Sequence, residues 1–331
     1  MDAKAIHFGP EVKPMKKLPR YALFRGRIVS YGHARLGVLT HGLNYGTGCF
    51  AGLRGHWNAD EQELFVFRPR DHFKRFLDST RLLCMEVPDT VDTLVASMQD
   101  LLRAEDLKTD CYIRPLAFYS DETIGVRLHD LTPTISMVAL PFGKYFDNDD
   151  GAHVTISSWK RIDDNMIPAR GKISGSYVNS ALARSDAQRA GFDDAITLNK
   201  DGHISEGSVA NFFMVRQGAV VTPPVTDDIL EGITRATFMT LLREEMGITV
   251  VERSIDRTEL SLADEAFLGG TGAQIVPITR VDHRPIGGGR PGPLTVELRD
   301  LYFEVVRGRK PKYRSWCEPV YSKATAARAT V

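Results

Sequence analysis

The stretch GKYFDNDDGAH, residues 143–153, constrains this chain more than any other. Glycine, aspartate and asparagine crowd it, a composition that suits a loop better than a packed element. A break there divides 331 residues, too many for one small core, into two units of ordinary domain size. The expected organisation is a smaller N-terminal unit over 1–142, an interdomain loop over 143–153 and a larger C-terminal unit over 154–331. Strand-like and helix-like segments mix on both sides of the break, so the fold class reads as α/β (α+β).

In the first unit, YALFRGRIVS, ELFVFRP, CYIRPLAFY and TISMVALPF carry the β-branched and aromatic residues of strands. RDHFKRFLDSTRLL places Phe73, Phe76, Leu77 and Leu83 near one face of a helix. DTVDTLVASMQDLLRAEDL does the same with Leu94, Met98, Leu101 and Leu102, and Asp89 is its expected cap. In the second unit, HVTISSW, DAITLN, HISEGSVANFFMV and ITVVERSI read as strands. Lys200-Asp201-Gly202 predicts a hairpin turn, and RQG predicts a second turn. Helices are expected from about Tyr177 to Gly191 and from Gly232 to Met246, the latter stopped by Gly247. LADEAFLGGTGAQIVPI is a strand running into glycines, and GGGRPG, residues 287–292, reads as a surface hairpin loop. The tail from Arg307 is basic, and its last ten residues are expected to be disordered.

Charge excludes one class of partner. Lys+Arg and Asp+Glu are both 42, so the basic excess of a nucleic-acid binder is missing. No apolar run reaches the roughly 18 residues of a membrane span, and the amino end lacks the apolar core of a secretory signal. Cys49, Cys84, Cys111 and Cys317 are scattered, without CxxC spacing, and read as reduced thiols of a cytoplasmic protein. The histidines form no HExxH or close pair, so no metal site is expected.

Lys172, in IPARGKISGSYVNS, is the residue most open to a chemical reading. A long amine among glycines, serines and alanines is either a solvated loop lysine or an amine held against a ligand. GGTGAQ, residues 269–274, follows a strand with exposed N–H groups and the Thr271 hydroxyl, which suits a phosphate or an ordinary glycine turn. Ile233 and Thr234 follow Gly232 in a first helical turn, where free N–H groups and the helix dipole favour an anion or merely cap the helix. Glu206 breaks a strand pattern and is either a turn residue or the partner of a protonated ring nitrogen. Arg75 lies beside the apolar stripe of its helix and can reach inward. Arg114 sits in an apolar strand, where an unpaired charge is costly and a carboxylate or phosphate partner is expected.

Seven ordered motifs resemble the branched-chain amino-acid aminotransferases, pyridoxal-phosphate enzymes of fold type IV. They are HGLNYGTGCFAGLRG, VFRPRDHFKRF, YIRPLAF, IPARGKISGSYVNS, HISEGSVANFF, LEGITRATF and FLGGTGAQIVPI, and the resemblance spans about residues 20–320. It implies a ping-pong aminotransferase of L-branched-chain amino acids with 2-oxoglutarate, built as a homodimer or higher homo-oligomer. Lys172 matches the lysine that forms a Schiff base with pyridoxal 5'-phosphate, and Glu206 matches the partner of the pyridine nitrogen. Tyr177 matches the partner of the ring hydroxyl, and Arg75, Ile233, Thr234 and Thr271 match the phosphate contacts. Tyr45, Phe50, Arg54, Tyr112, Arg114, Tyr145 and Gly272 fall where the family lines its substrate pocket, Arg114 matching the arginine that takes a distal carboxylate. The chain departs from the family at Ala51, usually a glutamate, and at Val209 and Ala210, where an acidic residue is common before the asparagine. Relatives of the same fold act on (R)-amines, D-amino acids or aminodeoxychorismate, and these are the alternative readings.

Overall fold

The computed structural model describes residues 18–143 and 150–322. Residues 1–17, Tyr145 and residues 323–331 lie outside them, and with them the expectations for the amino end and for disorder of the tail.

Seven strands come first: β1 (Tyr21–Phe24), β2 (Arg27–Ser30), β3 (Gly48–Phe50), β4 (Leu53–Asn58), β5 (Glu63–Phe67), β6 (Cys111–Tyr119) and β7 (Pro133–Pro141). YALFRGRIVS is two strands, folded at Arg25-Gly26, where φ is +52° and +73°. Helices α1 (His41–Tyr45), α2 (Pro69–Leu82) and α3 (Val91–Glu105) accompany this sheet. Phe73 and Phe76 of α2 and Leu94, Met98 and Leu101 of α3 pack with Leu53, Val66, Ile113 and Met137 of the strands in one core. Thr90, not Asp89, caps α3: its hydroxyl accepts from Thr93 N–H, and the Thr93 hydroxyl accepts in return from Thr90 N–H. Thr90 has the extended backbone that a cap needs, and Asp89 lies one residue outside it.

The period of two in β6 aims the site. Cys111, Ile113 and Ala117 enter the core, whereas Tyr112, Arg114 and Leu116 point the other way. Antiparallel register puts Tyr112 opposite Leu140 and Arg114 opposite Val138, so β6 and β7 present one mixed apolar and polar wall.

The second sheet holds β8 (Ala152–Ile156), β9 (Asp194–Leu198), β10 (Ile204–Gly207), β11 (Asn211–Arg216), β12 (Ala219–Thr222), β13 (Val251–Glu252), β14 (Glu265–Gly270), β15 (Gln274–Val281) and β16 (Arg284–Pro285). Its helices are α4 (Tyr177–Arg189), α5 (Ile233–Glu245) and α6 (Pro293–Val306). Because β10 pairs with both β9 and β11, the path β8-β9-β10-β11-β14-β15 returns to β8 and closes a barrel. Phe212, Met214 and Leu268 fill one side of its wall, and Phe213, Val215 and Phe267 face the other. With both faces covered, these strands read as continuous apolar runs.

Four expectations change. Strand β8 begins at Ala152, inside the stretch read as loop. ITVVERSI contributes only Val251 and Glu252 to a strand, a short parallel edge beside β12, while Ile248 and Val250 pack against the core of α5 and α6. Residues 287–292 lead from β16 into α6, a helix the sequence reading did not include, and do not form a hairpin loop. Finally β17 (Cys317–Pro319) leaves the second unit and pairs with β5 at the edge of the first sheet.

Glu63 fastens that returning end. Its buried carboxylate accepts from the N–H groups of Val320 (3.0 Å), Tyr321 (2.8 Å) and Ser322 (2.8 Å). Burial pushes this carboxyl up, but the N–H groups of Tyr321, Ser322 and Val320 outweigh it and leave it below the ordinary glutamate value. Glu63→Gln should therefore cost about 1–3 kcal/mol at neutral pH. A depressed folded-state value means that the wild type keeps this contribution above the ordinary glutamate range and loses it on acidification. Thermal melts of the two proteins should converge toward low pH, and a gap that does not close would refute the assignment.

Candidate active site

The Lys172 loop is pinned before its side chain does anything. Lys172 N–H donates to Ser79 Oγ of α2 (3.1 Å), and its carbonyl accepts from Phe50 N–H of β3 (3.0 Å). The small residues permit this close approach. A Cβ on Gly46 would meet the Gly175 backbone at 3.1 Å, and one on Gly171 would meet Leu82 at 3.0 Å. The amine is buried: Nζ donates to Tyr177 Oη (2.5 Å) and lies 5.1 Å from the centre of the Phe50 ring. Burial first, then the Arg75 guanidinium, lower its pKa from 10.5 to about 7. Burial and Glu206 push the Tyr177 hydroxyl up to about 12.

Glu206 lies at the end of β10 with both carboxylate oxygens engaged. Oε1 pairs with Arg161 Nη2 (2.8 Å), and Oε2 accepts from Asn211 Nδ2 (2.9 Å) and Leu230 N–H (3.3 Å). Burial raises its pKa, and Arg161 is the largest influence pulling it back.

Across the cavity, α5 begins at Gly232 with no side-chain cap, so its first-turn N–H groups are free for an anion. The Thr234 and Thr271 hydroxyls are 3.4 Å apart beside it. Arg75 Nη1 donates to the Glu231 carbonyl (2.9 Å), which aims the guanidinium at the same corner. Gly232 is required here, because a Cβ would fall 2.0 Å from Asn211 Oδ1. The two weak anion signals of the sequence, LEGIT and GGTG, meet in one place.

All these groups line a cavity of about 530 Å³, to which Phe50, Tyr112, Arg114, Val138, Leu140, Phe142 and Gly272 also contribute. Its ionisable lining sets Arg75, Arg114, Arg161 and Lys172 against the single carboxylate of Glu206. Such a field selects an anionic ligand.

Arg114 is not the buried charge in an apolar strand that the sequence suggested. It sits on the exposed face of β6, 4.4 Å from the Phe50 ring centre, and donates to Tyr112 Oη (3.1 Å). No carboxylate pairs with it among the described residues, which leaves the guanidinium for a ligand.

Tyr45 and Arg54 are placed elsewhere. Tyr45 accepts from Gly125 N–H (3.1 Å) and is not part of the cavity lining. Arg54 is buried on the same face of the first sheet as Tyr112, its register partner, and donates to the carbonyls of Gly143 (2.7 Å) and Gly272 (3.0 Å), and so supports the turn that carries Gly272. Of the departures from the family pattern, Ala51 belongs to the first core, whereas Val209 and Ala210 line the cavity. Sequence reasoning missed Arg161, Ser208 and Asn211. Only Asn211, next to Glu206 across a turn in HISEGSVANFF, had a local signal.

Known proteins resemble this chain over most of its length. The family model for amino-transferase class IV matches residues 57–281. The chain is 42% identical over 303 residues to a probable branched-chain-amino-acid aminotransferase of Aquifex aeolicus, covering 92% of this chain and 97% of the relative. It is 37% identical over 306 residues to the branched-chain-amino-acid aminotransferase of Salmonella typhimurium, covering 91% and 98%. Among solved structures, the branched-chain aminotransferase of Thermoproteus uzoniensis with norvaline superposes with a TM-score of 0.88 at 40% identity, over 92% of this chain and 100% of the other. The enzyme of Thermobaculum terrenum in its PLP (holo) form gives 0.87 at 40% identity, over 91% and 98%.

The lowered Lys172 pKa is measurable without any ligand. Competitive acetylation of the ligand-free protein, read by mass spectrometry, should show this amine titrating near pH 7. Arg75→Leu should move the midpoint upward, because it removes a cation that disfavours the charged amine. A midpoint in the ordinary lysine range would refute the burial argument.

Proposed function

This chain belongs to the class IV amino-transferase family, and on that premise we propose that it transfers amino groups between L-branched-chain amino acids and 2-oxoglutarate with pyridoxal 5'-phosphate. The observation that carries the reading is a buried Lys172 amine, held by Tyr177, in a cavity that also holds Glu206, an uncapped helix start and an apolar wall bearing Arg114.

The residues fit the cofactor. Lys172 would bond to it, Glu206 would hold a proton on its ring nitrogen and Tyr177 would hold its ring hydroxyl. Arg75, the N–H groups of Ile233 and Thr234, and the hydroxyls of Thr234 and Thr271 would take the phosphate. Ser208 Oγ is buried on the same lining, beside the Asp194 carboxylate. When bound, the cofactor supplies an aldehyde that bonds to amines and a ring that accepts the electrons released at the substrate α-carbon. Lys172 would serve as the base at that carbon, removing a proton there in the first half-reaction and supplying one there in the second. In the ligand-free cavity burial and Arg75 lower the amine's pKa to about 7, which favours the neutral form that a base needs.

Substrate choice follows from the β6–β7 wall. Phe50, Val138, Leu140 and Phe142 suit a branched apolar side chain. Arg114 lies over the Phe50 ring, so an apolar substrate meets ring surface and an acidic one meets the guanidinium. The N–H groups of Thr271 and Gly272 would receive the α-carboxylate.

The working unit is a homodimer in the cytoplasm, its chains divided into two units near 143–153. Leu36, Val38, Leu39, Leu43, Ile124 and Val126 are exposed, on two segments tied by the Thr40–Glu122 bridge and the Tyr45–Gly125 hydrogen bond. Apolar patches of this kind mark association surfaces. The four cysteines are unpaired, as a reducing compartment keeps them. No described helix is long and apolar enough to cross a membrane.

Arg114→Leu tests the substrate assignment. A charge-assisted contact is worth about 1.5–3 kcal/mol, so the Michaelis constant for 2-oxoglutarate should rise roughly ten- to a hundredfold while that for leucine holds. Equal losses in both half-reactions would make Arg114 structural. No loss in either, with turnover of (R)-amines or D-amino acids, would replace the proposed substrates. Product formation without any keto acid would point to lyase chemistry instead.

A further inference from the structure

We propose that Arg161 is a positioning residue: it keeps the buried Glu206 ionised and fixed, so that this carboxylate meets the cofactor's ring nitrogen as an anion. The inference rests on the functional reading above and concerns a residue that the family resemblance did not bring forward.

The geometry is that of a held pair. Arg161 follows β8, and its own N–H donates to the Leu198 carbonyl at 2.8 Å. Nε reaches the Asp228 carbonyl (3.2 Å), Nη1 the Ser180 hydroxyl (3.5 Å) and Nη2 the Glu206 carboxylate (2.8 Å). Three separate segments thus hold the guanidinium, and only 11% of its side chain is exposed against 6% for Glu206. The nearby acids are engaged elsewhere: Asp163 pairs with Lys200, and the Asp228 carboxylate accepts from Asp164 N–H. Among the described residues, Glu206 is the one carboxylate in an ion pair with Arg161.

The charge balance explains why a partner is needed. Burial alone drives Glu206 toward the protonated acid, and a protonated acid has no anion to offer a ring N–H. From the strand side Asn211 supplies an amide, and the Leu230 N–H supplies a second donor. Lys172, Arg75 and Tyr177 face Glu206 from the lysine loop, α2 and α4, but none of the three is hydrogen-bonded to it. Arg161 is the cation in contact. It occupies Oε1 at the edge opposite the two donors on Oε2, so it fixes the carboxylate plane as well as its charge.

The test uses pyridoxamine 5'-phosphate, which carries the ring nitrogen and phosphate but no aldehyde, and so reads Glu206 apart from the covalent bond to Lys172. Its affinity for the apo-protein would be measured calorimetrically between about pH 6 and pH 9 in wild type, Arg161→Met, Arg161→Lys and Glu206→Gln, with melting curves to establish folding. A lost opposite charge moves a carboxylate by about 1–3 pH units, so Arg161→Met should bind at least about tenfold more weakly than wild type at pH 6. The deficit should shrink as pH rises and Glu206 ionises. Arg161→Lys should follow the wild-type profile, and Arg161→Met placed in Glu206→Gln should add no pH-dependent step. Should Arg161→Met fail to fold, Arg161→Gln serves in its place with the same expectation. A deficit equal at every pH would make Arg161 merely structural and overturn the proposal. Wild-type protein that binds neither pyridoxamine 5'-phosphate nor pyridoxal 5'-phosphate would overturn the functional reading itself.

Discussion

One strand pairing, Glu206 opposite Asn211, closes the second sheet into a barrel. The same two residues also join through their side chains, Asn211 Nδ2 on Glu206 Oε2 at 2.9 Å. The barrel's seam and the carboxylate of the site are therefore one feature. Gly207, at the turn of this seam, leaves little room for a side chain, since a Cβ would lie 2.9 Å from a Leu268 methyl and 3.2 Å from the Ala210 carbonyl. Gly232, at the start of α5, is excluded from carrying one by the Asn211 amide. Seam, carboxylate and anion-binding helix end are set by mutual contact, so none can shift alone.

Against this rigid side the first sheet contributes a wall whose chemistry is set by register. A one-residue slip between β6 and β7 would leave Tyr112 and Arg114 facing partners that belong to the core. The register is held over the whole of β6, from Cys111–Pro141 to Tyr119–Pro133. On the same face, Arg54 ties the end of this sheet, at Gly143, to the Gly272 turn of the other. The cavity's two halves are thus joined by a buried guanidinium and a third apolar cluster. That cluster takes Phe65 and Phe67 from β5 and Phe238, Leu298 and Tyr302 from α5 and α6.

Much of this was legible in the sequence where local physics decides. Phe73 and Phe76 on a helical period, the alternation in CYIRPLAFY, and Gly218 in its turn each carry their signal within a few residues. ITVVERSI misled because β-branched residues favour a strand, yet Ile248 and Val250 found better burial against α5 and α6 than pairing at an edge. The helix LTVELRDLYFEVV was hidden by its β-branched residues and by the glycines before it, which suggest a turn. Site residues were legible when a motif carried them, and Glu206 and Lys172 stand out against their neighbours. Arg161 did not, because WKRIDDN is a polar run that reads as solvated loop. Only the fold brings it against Glu206. Arg114 was found for the wrong physical reason: it is suspicious less for being buried than for being exposed on a ring without a carboxylate.

The return of β17 to the first sheet has a consequence for how the chain is made. A ribosome releases β5 long before Cys317–Pro319, so the emerging first sheet has an open edge at β5 until those residues are made. Glu63 is in the same position, buried in the finished protein but without its N–H donors from Val320, Tyr321 and Ser322 during synthesis. Contacts of such long sequence separation form late and slowly. Domains folding in order of synthesis would here leave the first one waiting on the last. The open edge and the uncovered Phe65 and Phe67 leave the nascent first sheet open to pairing with other chains, and they make loss of residues 317–322 a defect of the first sheet.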